Sequence, residues 1–165
     1  MELNMSLDKL IHISFDHTLE GMWEPKVPAS IDTGCKSIYS EPEFPRICLA
    51  PSVKECFWAI YPNISNLFEH QKLPHMDFYV YAPVTLSHTE VVTPDMLTSE
   101  RLVLDAHVTN EHWVLSNTDM KLISKVRVYN PGQCHFVSFN PFNDCSMRRL
   151  DLAPETITFE EWSLL

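Results

Sequence analysis

Residues 46–62 read RICLAPSVKECFWAIYP, a short apolar strand that runs without a linker into an amphipathic helix. Ser52 and Glu55 stand at capping-box spacing, so the hydroxyl and the carboxylate can satisfy the first free N–H groups of a helix. Val53, Cys56, Phe57 and Ile60 then follow at i, i+3, i+4 and i+7, one apolar stripe. Pro62 is expected to end the helix because its ring clashes with the preceding turn. A second short helical stretch is expected over 63–70. A single helix with one apolar stripe needs a sheet to bury it, and the rest of the chain must supply that sheet.

Period-two alternation marks the strands. In KLIHISF (9–15), Ile11, Ile13 and Phe15 point one way, and Leu10, His12 and Ser14 the other. MDFYVYAPV (76–84) sets Phe78, Val80 and Ala82 against Asp77, Tyr79 and Tyr81. RLVLDAHVTNEHWVL (101–115) reads as the longest extended segment, with Leu102, Leu104, Ala106 and Val108 on its apolar face and Asp105, His107, Thr109, Glu111 and Trp113 on the other. KLISKVRVY (121–129) and CHFVSF (134–139), joined by Asn130-Pro131-Gly132-Gln133, read as a hairpin. Residues 17–44, with Pro25, Pro28, Pro42, Gly21 and Gly34, read as a long irregular loop. A helical turn is expected over 94–99, and FEEWSLL as a docked final turn. The expected architecture is one α+β domain over 1–165, with a mostly antiparallel sheet, or a split pair of sheets, and one or two helices in the N-terminal half.

Composition narrows the function classes. The chain has 165 residues, of which 45% are hydrophobic and 21% charged, the balance of a globular protein. It has only three glycines, so Walker and Rossmann phosphate loops, which need several at fixed spacing, are excluded. The formal net charge is −10, and the 12 Lys and Arg are scattered, which argues against general nucleic-acid binding and favours a basic protein partner, if any. No apolar run is long enough to span a membrane, and the first 20 residues lack the pattern of a secretory signal. The five cysteines are odd in number and form no CxxC pair, so reduced thiols and a cytoplasmic setting are expected. The eight histidines show no HExxH and no zinc-like spacing, so no metal site is expected.

His12 and Glu111 each fall on the polar face of an expected strand, with Tyr79, Tyr81 and Trp113 as flat surfaces nearby. An antiparallel strand commonly has one wet face, so a half-exposed histidine there has a bland explanation as well. A nucleophile reading of Ser52 is weaker than its reading as a helix cap, and no GxSxG elbow exists.

The order of elements adds to this. Three patches, LIHIS (10–14), RICLAPSVKECFWAIY (46–61) and DAHVTNEHWVL (105–115), together about a fifth of the chain, resemble the ADP-ribosyltransferase-like fold, including its short bacterial and phage members. The resemblance implies NAD as substrate. His12 would hold the ribose and amide of the nicotinamide half, and Glu111 would bond the ribose hydroxyl and steady an oxocarbenium-like transition state. Ser14, Ser52, Tyr79, Tyr81 and Trp113 complete the implied binding set. The family stacks an aromatic on nicotinamide near the second strand. ICLAPS has none, so Tyr39, Trp58 or Tyr61 would have to substitute. The implied activity is transfer of ADP-ribose to a protein or other acceptor, or cleavage of NAD at the nicotinamide bond. The alternative is a non-enzymatic acidic protein of a phage or mobile element, with the same or a related fold, that blocks a host or defence protein in the host cytoplasm. The sequence leaves the oligomeric state open.

Overall fold

The structure, a computed structural model, describes residues 7–28, 42–73, 75–129 and 159–162. In chain order the elements are β1 (His12–Ser14), β2 (Gly21–Trp23), β3 (Ile47–Leu49), α1 (Val53–Glu69), β4 (His75–Pro83), β5 (Val91–Val92), α2 (Pro94–Ser99), α3 (Ala106–Thr109), β6 (His112–Val114), β7 (Thr118–Tyr129) and β8 (Phe159–Trp162). Short 3-10 turns lie at Leu7–Lys9 and His88–Glu90. The fold is α+β, with two antiparallel sheets. No helix among the described residues is long and apolar enough to cross a membrane.

The larger sheet is built on β4 and β7, paired from His75 opposite Tyr129 to Pro83 opposite Met120. A bulge between Val80 and Tyr81 skips Ile123. β1 pairs with the other edge of β4, while β2 and β8 both pair with the second edge of β7. The smaller sheet has the order β3-β6-β5. Alternation along β4 explains how one sheet serves two cores. Met76, Phe78 and Val80 face α1 and pack on Phe57, Trp58 and Cys56. Tyr81, on the opposite face, packs with Leu49, Val114 and Met120 of the second sheet and β7. Phe57 and Phe78 are both fully buried, so truncating either to alanine removes about 3–5 kcal/mol.

Several expectations change. The helix runs through Pro62 to Glu69, so 53–61 and 63–70 form one 17-residue element. Ile60, Ile64 and Leu67 keep its apolar stripe on the core, which offsets the N–H that Pro62 lacks. The irregular loop over 17–44 contains β2, which begins at Gly21 with φ +120°, a conformation that favours glycine. FEEW forms a strand on β7 rather than a final turn. The long strand over 101–115 is mostly not a strand. Val103, Ala106 and Thr109 are buried at three-residue spacing, so helical periodicity prevails over the apparent alternation. Asn110, at φ 49° and ψ 37°, then ends α3 after one turn. The expected strand over 134–139 lies outside the described residues.

Candidate functional site

The two sheets meet where Ile11 and Ala50 exchange backbone hydrogen bonds of 2.9 Å in each direction. A cavity of about 110 Å³ opens at this junction. Its walls are His12 and Ile13 from β1, Arg46, Cys48, Leu49 and Ala50 from β3 and its flanks, Cys56, Ala59 and Ile60 from α1, together with Pro28 and Glu111. Adjacency follows from sequence order: β3 passes through Ala50-Pro51-Ser52 straight into α1, so strand and helix form one continuous wall.

His12 stands at the centre of the seam. Its Nδ1 lies 2.9 Å from the carbonyl oxygen of Cys48. A carbonyl only accepts, so Nδ1 carries the proton, and in the neutral ring Nε2 is a hydrogen-bond acceptor. Burial holds the imidazole pKa below its ordinary value, partly opposed by the Cys48 hydrogen bond, which favours that neutral form. The ring stands edge-on to Trp23, with centroids 5.0 Å apart.

Glu111 lies in the link between α3 and β6 rather than mid-strand, and its N–H donates to the Ala106 carbonyl at 3.2 Å. The Trp113 indole N–H donates to Glu111 Oε1 at 2.7 Å. Burial first, and then Glu111, push the Cys48 pKa well up, against the pull of Arg46, so this thiol stays protonated and is a poor nucleophile. Burial also pushes Cys56 up to about 12, and its Sγ donates to the Ile11 carbonyl at 3.4 Å. Despite the nearby histidine and glutamate, the cavity is not built as a cysteine-hydrolase site.

The other candidate residues have different surroundings. Ser52 caps α1: its Oγ accepts from the Glu55 N–H at 3.3 Å and donates to Glu55 Oε2 at 2.8 Å. Ser14 accepts from the Asp16 N–H at 3.1 Å. Tyr81 is fully buried, and its hydroxyl donates to the Asp16 carbonyl at 2.7 Å and accepts from the Leu19 N–H at 3.3 Å. Tyr79 faces His17 and the Lys125 ammonium. Trp113 is buried, with the Arg46 guanidinium 4.1 Å above its ring. None of these five lines the cavity, which is walled at its polar end by His12, Arg46, Cys48 and Glu111. Of the substitute aromatics, Trp58 is buried in the α1 core, while Tyr39 and the Tyr61 side chain lie outside the described residues.

Sequence reasoning missed Arg46, Cys48 and Trp23. A signal for the first two existed: Arg46 and Cys48 share one phase of the RICLA alternation, opposite the core residues Ile47 and Leu49. Trp23 had none, because it sits in what reads as a loop.

No protein-family model, curated protein or solved structure matches this chain.

Proposed function

We propose that the cavity takes the nicotinamide end of NAD and that the protein cleaves the nicotinamide–ribose bond, passing ADP-ribose to a protein or other acceptor, or to water, in the cytoplasm. The reading rests on one observation above all: His12 and Glu111, the two residues that the resemblance singles out, line the same cavity, one from β1 and the other from the link that leads into β6. The cavity, about 110 Å³, is smaller than the roughly 300–1,000 Å³ usual for whole ligands. It suits one heterocycle, with the remainder of the dinucleotide along the rim. Neutral His12 offers Nε2 as an acceptor for a ribose hydroxyl or the carboxamide N–H. As the glycosidic bond breaks, its electron pair leaves with nicotinamide and positive charge develops on the sugar. The acceptor then bonds to the anomeric carbon and gives up its proton. A carboxylate already held by the Trp113 N–H stabilises that charge without having to reorganise.

A second reading, an acidic protein that binds a basic host protein without catalysis, is favoured by the absence of any Phe, Tyr or Trp from the cavity wall among the described residues and by the net charge of −10. Calorimetry and thermal unfolding with NAD separate the two. Saturable binding, with about 2.7 kcal/mol of stabilisation at a hundredfold excess over Kd, supports the first reading. No heat and no shift at millimolar NAD support the second.

A further inference from the structure

We propose that Asn110 is a positioning residue for Glu111, acting through Glu55 at the start of α1; the proposal rests on the role given above to Glu111. Asn110 occupies the left-handed region without being glycine, and it is tied down on both sides. Its Nδ2–H donates to Glu55 Oε1, and its carbonyl accepts the His112 Nδ1–H at 2.7 Å. The other carboxylate oxygen of Glu55 is held by the Ser52 hydroxyl.

The capping role of Ser52 and Glu55 requires only their own turn of helix. The bond from Glu55 to Asn110 reaches across 55 residues of chain and joins two parts of the same cavity. α1 carries Cys56, Ala59 and Ile60 of the wall, and the residue after Asn110 is Glu111. On its far side Glu111 is fixed by β6, where His112 and Trp113 pair with Leu49 and Cys48. On its near side lies the single turn of α3. The Asn110–Glu55 bond is a side-chain link that sets this near side against the helix wall. It thereby sets the distance from the carboxylate to a sugar bound against α1 and His12.

The test uses Asn110→Gly, which keeps the left-handed backbone and deletes the amide. A second variant, Glu55→Gln with Asn110→Asp, reverses the direction of donation: the Gln amide gives to the Asp carboxylate, and net charge is unchanged. Two readouts are taken beside the parent: nicotinamide release with NAD affinity, and water exchange of the Trp113 indole N–H by NMR. Asn110→Gly is expected to keep NAD affinity within about twofold while slowing release about tenfold to a hundredfold. Exchange of the indole N–H, which reports the placement of Glu111, is expected to quicken about tenfold. The double variant is expected to restore both toward the parent. Unchanged exchange in Asn110→Gly overturns the clamp, and quickened exchange with unchanged release overturns its role in positioning for the reaction. A parent that releases no nicotinamide refutes the proposed activity instead; the exchange rates of the two variants still decide whether Asn110 sets Glu111.

Discussion

The indole N–H of Trp113 donates to Glu111 Oε1 at 2.7 Å, and the Arg46 guanidinium lies 4.1 Å over the indole ring. One buried aromatic thus orients a carboxylate and supports the cation that shares its cavity. Trp113→Phe keeps a ring under Arg46 and removes the donor. It should destabilise the protein by about 2–4 kcal/mol, from a lost hydrogen bond to a charged group and a small void. Urea unfolding checks this; a change within about 0.5 kcal/mol, the scale of an ordinary surface substitution, would show that the bond contributes nothing to stability.

Among the described residues, two histidines have shifted pKa values, and they predict how stability varies with pH. Burial holds both His12 and His112 below their ordinary values in the folded state. Between the folded and unfolded pKa values the unfolded chain binds more protons, so stability is fully present above about pH 6.5 and is lost as pH falls through the folded values. The expected result is a decline between about pH 7.5 and pH 5, before the carboxylates titrate. His112→Asn should flatten that decline. A parent as stable at about pH 5 as at about pH 7.5 contradicts the account.

The thiols give a sharper chemical prediction. Cys48 and Cys56, both unpaired, have pKa values raised first of all by burial. Near neutral pH both should alkylate at least about a hundredfold more slowly in the folded protein than in urea, because the thiolate is the reactive form. Mass spectrometry of peptides after timed alkylation reads each site separately. Rapid native labelling of Cys48 would mean that its thiol is an activated one and would reopen a nucleophilic role for it.

How much of this was legible in the sequence depended on how locally each feature is encoded. The β3–α1 unit was legible, because RICLAPSVKECFWAIY carries its own alternation, cap and helical stripe. β4 was legible for the same reason: its core face of Phe78 and Val80 reads directly from alternation. The region over 101–115 was misread, since Leu102, Leu104, Ala106 and Val108 alternate by chance, while burial follows Val103, Ala106 and Thr109. Tyr81 was assigned to a polar face because a single sequence does not reveal that a second sheet covers that side of β4. The site was legible only as residue types. His12 and Glu111 could be named, but Arg46, Cys48 and the Asn110–Glu55 bond depend on two sheets meeting at Ile11 and Ala50.

The most direct measurement is nicotinamide release and NAD affinity for the parent, His12→Ala and Glu111→Gln, with the melting temperature of each. Glu111→Gln retains a carbonyl to accept the Trp113 N–H, so its melting temperature and NAD affinity should stay close to the parent. Its turnover should fall about a hundredfold or more, the scale on which one preorganised electrostatic group acts. His12→Ala should instead weaken NAD binding, since Nε2 engages the ligand in the ground state. A parent that neither binds NAD nor releases nicotinamide with any acceptor or with water contradicts the account, as does a Glu111→Gln variant with the parent's turnover.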